Sequence, residues 1–166
     1  MTTTKQPYTG YIARFQDKTV QSVLLDRINV VKKILEIVSA VDKWTYRYAP
    51  EKWDLKQLIQ HCIDAERIFS YRALHLARQD AQPIFGFDEN AYADLAVVGH
   101  KSGEALMYEY ILLMESIRFQ FDGFEPADLQ RCGRVADTEL TVEDIGFIIA
   151  GHSLHHMDII IQRYLE

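Results

Sequence analysis

Ile145-Gly146-Phe147-Ile148-Ile149-Ala150-Gly151-His152-Ser153-Leu154-His155-His156-Met157-Asp158-Ile159-Ile160 is the stretch on which the reading of this chain turns. At 100° per residue, Ile145, Ile149, His152, His156, Ile159, Ile160 and Arg163 share one face of a helix. Phe147, Leu154, Ile161 and Leu165 lie roughly opposite. Thr141 stands ahead of the run with Asp144 three residues on, the spacing of a capping box. A helix that is apolar on two sides is buried on both. The second surface is therefore expected to meet another copy of the chain, giving a homodimer, or else a connector or the N-terminal segment.

The chemistry lies in the middle of the first face. His152 and His156 are one turn apart, so both imidazoles reach the same point in space. An imidazole buried without a partner is costly. A stacked inward pair needs two partners or one shared cation. The residue after His152 is Ser153, so the zinc-protease pattern of two histidines with an intervening glutamate does not apply, and no general base comes from that position. Alone, such a pair is as often hydrogen-bonded core as it is a metal site.

Working outward, three more segments carry a helical period. Thr19 to Val41 places Val20, Leu24, Ile28, Val31, Ile34, Leu35 and Val38 on one stripe. Asp54 to Gln79 begins with a good capping residue and carries Leu55, Leu58, Ile59, Cys62, Ala65 and Phe69. Ser102 to Phe121 has Leu106, Tyr110, Leu113 and Ile117 in phase behind a capping serine. Between them, Tyr46 to Pro50 reads as extended. Gln82 to His100 reads as a long crossover with a short helix around Asn90 to Val97. Gly123 to Glu139 reads as polar and irregular, and no strand alternation stands out. Four long helices with long connections imply an all-α, four-helix bundle that is not simply up-down-up-down.

His61 is the natural third ligand, beside the apolar stripe and near the middle of its helix. Three histidines leave coordination positions open, which is the pattern of a catalytic rather than a closed structural site. Imidazole donors suit a divalent metal ion, zinc or nickel first, with iron or manganese as alternatives. His155 reads as a flank residue, and His75 and His100 read as solvated. Glu66 and Arg67 read as structural or as supports behind the ligands. Arg72 is expected to form a salt bridge to the crossover rather than to bind a substrate anion, and Arg163 to pair with an internal carboxylate. Trp53 and Tyr46 read as packing at the start of the second long helix, and Cys62 as core.

The 166 residues suit one domain. A net charge of -6 without a Lys/Arg cluster argues against a nucleic-acid partner, whose binding rests on counterion release. Two cysteines outside any CxxC pair make no disulfide scaffold and favour a reduced, cytoplasmic setting. The N-terminal stretch from Met1 to Phe15 shows no signal-like apolar run, and no segment reaches membrane-spanning length.

Two runs together carry a family resemblance. One is Trp53-Asp54-Leu55-Lys56-Gln57-Leu58-Ile59-Gln60-His61-Cys62-Ile63-Asp64-Ala65-Glu66-Arg67, and the other is the closing run from Ile149 through His152, His155 and His156 to Leu165. With the Phe87-Asp88-Glu89 loop, they resemble the DinB/YfiT-like superfamily over nearly the whole chain. The resemblance implies an up-down-down-up bundle, often dimeric, with one metal ion held by His61, His152 and His156. It also implies a metal-dependent transferase or hydrolase acting on a small-molecule substrate, with a low-molecular-weight thiol as a candidate co-substrate. The other expectation is a stress-induced dimeric metal-binding protein without catalytic activity, whose ion would be closed off from any cavity.

Overall fold

The computed structural model describes residues 8–166. The first seven residues, part of the stretch read above for a leader, lie outside the described residues. Helix α1 (Thr9–Ile12) continues into a short tight turn, Ala13–Phe15. The bundle consists of α2 (Val20–Ala40), α3 (Leu55–Ala77), α5 (Gly103–Asp122) and α7 (Val142–Ile159). Short helices α4 (Glu89–Leu95) and α6 (Pro126–Leu129) lie in the connections. Each long helix begins where its capping residue stands. Thr19, Asp54, Ser102 and Thr141 accept from backbone amides of the first turn, and Asp54 and Thr141 close full capping boxes.

Helices α2 and α3 each pack on both α5 and α7 and are diagonal to one another. One apolar cluster joins the start of α2 (Val20, Leu24) to the end of α3 (Ala73, Leu76), the end of α5 (Phe121) and the start of α7 (Val142, Ile145). The second joins Leu35 and Val38 to Leu55, Leu58, Leu106, Met157 and Ile160. Thus α2 and α7 run one way and α3 and α5 the other, which is up-down-down-up.

A polar layer separates the two clusters. Arg27 of α2 donates to Glu66 Oε1 of α3 at 2.7 Å, and Tyr110 of α5 and Ser153 of α7 donate to the same oxygen at 2.7 and 2.6 Å. Arg27 also donates to Ser153 Oγ at 2.8 Å. Each of the four helices contributes one residue, and all four side chains are fully buried. Burial first, and then the Glu66 charge, holds the Tyr110 phenol well above its usual pKa, so it remains a donor.

Three expectations are corrected. The connection after α5 is not wholly irregular: β1 (Cys132–Val135) pairs antiparallel with β2 (Thr138–Thr141). Its four-residue strands are too short to show alternation, and its turn uses Ala136 at φ 51° in place of the Asn-Gly type signal. His75 is buried rather than solvated, since the hairpin and the loop after α3 close over the helix end and bring Asp80 to 3.5 Å. Arg163 is exposed without an ion pair among the described residues. The chain widens into a π-helical turn over Ile160–Leu165, which takes Arg163 out of phase and seats Tyr164 inside, its hydroxyl donating to the Trp53 carbonyl at 2.7 Å.

The second apolar face of α7 is met within the chain over its first half. Phe15 stacks on Phe147, and Tyr11 packs where Gly151 has no side chain. This is the N-terminal cover named above as the alternative to a second copy. Ile161, farther along, stays exposed. No helix among the described residues is long and apolar enough to cross a membrane.

Gly103 opens α5 against the buried indole of Trp44, and a Cβ there would fall 2.1 Å from the ring's Cδ2. We expect Gly103→Ala to cost about 1–3 kcal/mol through overpacking, read as a lower urea midpoint with unchanged m-value. An unchanged midpoint would show that this end of the bundle yields without cost.

Candidate metal centre

His61 points inward from the second turn of α3, and His152 and His156 from α7, its antiparallel neighbour. The Nε2 atom of His152 stands 3.1 Å from that of His61 and 3.1 Å from that of His156. The ligand atoms of the three all lie within 4.8 Å of one another, and all three side chains are buried. The neighbouring polar layer sets this convergence. Ser153 turns toward Glu66, which fixes the rotation of α7 and leaves His152, one residue earlier, facing α3.

Both 3.1 Å contacts cannot be good hydrogen bonds. One Nε2 has either one proton or one in-plane lone pair, and here it faces two partners. The Nδ1 atoms of His152 and His156 are buried without a hydrogen-bond partner among the described residues, so Nε2 is the outlet for each ring. A divalent cation accepts three lone pairs at once. Donors about 2.0–2.1 Å from a common ion stand roughly 3.0–3.4 Å apart, and the observed spacing fits.

Electrostatics agrees. Burial, followed by the neighbouring imidazoles, lowers His152 to about 3 and His156 to about 2. Burial also lowers His61, against a smaller opposing pull from Glu89. The rings are therefore neutral at physiological pH, with lone pairs free to coordinate.

The triad forms part of the floor of a cavity of about 870 Å³. Trp53 lies 5.0 Å from the His61 ring, centroid to centroid, and Tyr11 stands edge-on to His152 at 6.1 Å. Phe69, Arg72, Phe87, Asp88, Glu89 and His155 complete much of the wall.

The DinB superfamily model matches residues 25–160, a span that includes all three histidines. The chain belongs to the DinB superfamily. Among solved structures, this DinB chain is similar to YfiT from Bacillus subtilis, described as a probable metal-dependent hydrolase with an unusual four-helix bundle topology. The two align with a TM-score of 0.75 at 17% identity, covering 88% of this chain and 84% of that one. At that identity the likeness establishes the fold. No curated protein matches the chain.

The sequence expectations meet this DinB site unevenly. His61, His152 and His156 come together as read, and Cys62 is core. Glu66 is structural, bonded to Arg27, Tyr110 and Ser153 in the polar layer and to none of the three histidines. Arg67 is a surface residue joined to Glu109 and Asp64. Trp53 packs at the start of α3 and also walls the cavity, while Tyr46 is exposed against Tyr164. Arg72 makes no salt bridge to the crossover. It donates instead to the carbonyl of Phe85 at 2.9 Å, because the crossover offers backbone and aromatic rings there rather than a carboxylate.

Sequence reasoning missed Tyr8 and Tyr11, which lie outside any periodic segment and carry no local signal. It also missed Arg27, although the signal was present. Arg27 sits between Leu24 and Ile28 on the apolar stripe of α2, where a charge demands a buried partner.

Proposed function

We propose that this DinB protein is a divalent-metal-dependent enzyme acting on a small molecule, either a hydrolase or a transferase using a low-molecular-weight thiol. His61, His152 and His156 would hold the ion, with zinc or nickel foremost. A bound ion supplies Lewis acidity, activating water or a thiol at neutral pH. The observation that carries the reading is that the three histidines border a roomy cavity. A purely structural ion is closed off by four protein ligands. The probable hydrolase function given for YfiT supports the same reading.

The chain's own residues divide the remaining work. The three imidazoles stay neutral and aimed. Trp53 and Tyr11 limit the approach of water to the rings. Glu89 and His155 border the cavity with exposed side chains, and they are the groups placed to take or give a proton near a substrate.

The test is turnover by metal-loaded protein with a panel of small thiols, alkylating electrophiles, esters and amides, beside chelated protein. Turnover that falls at least about tenfold on chelation and returns with added metal is the expected result. Absence of turnover across the panel, with chelation changing neither stability nor ligand binding, would overturn it.

A further inference from the structure

Two arginines are buried among the described residues, and a carboxylate answers only one of them. Arg27 has Glu66 at 2.7 Å. Arg72 is 3% exposed, and no carboxylate of the described residues comes within ion-pair distance of it. Residues 1–7 contain no Asp or Glu to supply one. A desolvated guanidinium cannot shed its proton, so this charge needs a counter-charge from elsewhere.

Its surroundings hold it still without neutralising it. The guanidinium carbon lies 5.2 Å from the centre of the Phe69 ring and 5.3 Å from that of Phe87. Both rings lie within cation–π range of the group. One amino group is spent on the Phe85 carbonyl, and the Tyr8 phenol is a further partner. Arg72 also lines the cavity that the three histidines border. It follows His61 by three helical turns on nearly the same face, about 16 Å along the axis. Of the two carboxylates that line the cavity, Glu89 acts on His61 and Tyr11, while Asp88 is engaged in capping α4 through the amides of Asn90 and Ala91.

We propose that Arg72 is the anion-binding end of this cavity, taking the carboxylate of an elongated small molecule whose other end reaches the histidines. This deepens the function proposed above and rests on it for the reacting end. The planar fork of arginine matches a carboxylate's two oxygens, and a single carboxylate neutralises a single buried cation. The aromatic walls between the two ends, from Phe69 and Phe87 to Tyr11 and Trp53, suit an apolar linker.

Calorimetric titration of the full chain with hexanoate and with hexanamide tests this, using metal-loaded and chelated protein. We expect millimolar binding of hexanoate in both forms, with hexanamide and inorganic phosphate at least about tenfold weaker. Arg72→Gln should weaken hexanoate by at least about tenfold, Arg72→Lys by less, and His156→Ala not at all. Far-UV circular dichroism checks that each variant is folded. If Arg72→Gln does not fold, the comparison of hexanoate with hexanamide in the native chain and in Arg72→Lys decides.

Hexanoate binding unchanged in folded Arg72→Gln, or equal binding of hexanoate and hexanamide, would overturn the assignment. Hexanoate binding confined to metal-loaded protein and lost in His156→Ala would also overturn it, since the carboxylate would then sit on the ion. Arg72-dependent binding in a protein that takes up no metal would uphold the subsite and remove the metal reading alone.

Discussion

His156→Ala is expected to lose bound metal almost completely while keeping its helices. Removing a ligand should cost more than the ten- to hundredfold typical of a lost outer partner, so we expect affinity to fall by more than about 100-fold. Thermal midpoints provide a second readout. An ion that binds only the folded chain stabilises it by about 2.7 kcal/mol at a hundred times its dissociation constant. The native chain should therefore melt higher with metal and drop on chelation, and the variant should not respond. Folding itself should survive. His156 borders a cavity, its Nδ1 is already unpartnered, and its burial opposes protonation, so the ring contributes little to stability without an ion. Elemental analysis showing equal metal in both proteins would remove His156 from the ligand set.

Glu66→Gln carries the largest expected effect on stability. The change keeps the shape of the side chain and deletes only its charge, leaving the Arg27 guanidinium uncompensated at the centre of the bundle. Removing one partner of a buried pair costs about 3–5 kcal/mol, a large share of the total for a domain of this size. The companion is the double variant Arg27→Met with Glu66→Leu, which replaces the pair by apolar groups of similar volume. It should recover much of the loss, because well-packed apolar replacements of buried pairs are often neutral or better. Tyr110 and Ser153 would still have to find acceptors. Ser153 already donates to the Ile149 carbonyl at 2.9 Å, whereas Tyr110 is left with the Ser153 hydroxyl and the Cys62 sulfur as its remaining partners. Chemical denaturation of the single and double variants measures both terms. A single variant within about 0.5 kcal/mol of the native chain would show that solvent or rearrangement reaches Arg27, contrary to its complete burial.

The parts of the fold legible in the sequence were those fixed by local chemistry. The long helices start within a residue of their capping side chains, because Thr19, Asp54, Ser102 and Thr141 satisfy amides that would otherwise face nothing. The histidine pair was legible because a repeat of four on an apolar stripe has one geometric meaning. His61 needed the pairing of α3 with α7, which periodicity alone does not give, and the family resemblance supplied it. What could not be read depended on contacts between distant segments. The hairpin is held by docking on the end of α3, where Arg131 donates to the Ala77 carbonyl, rather than by strand propensity. His75 is buried by that same docking. Arg163 was misplaced because a fixed 100° step assumes a regular helix, and the last turn is wider.

The wall beside His152 is made by a segment with almost no structure of its own. A four-residue helix lies far below the length at which a helix persists in water, so α1 stays formed only while it is docked. Its seat is the bare backbone of Gly151, where a methyl group would fall 2.8 Å from the Cα of Tyr11. Access to the histidines is thus bounded on this side by a segment held by its docking on α7, through Tyr11 on Gly151 and Phe15 on Phe147, and not by its own helix. A side chain at residue 151 would therefore displace Tyr11 and reshape this wall of the cavity without touching His61, His152 or His156 directly.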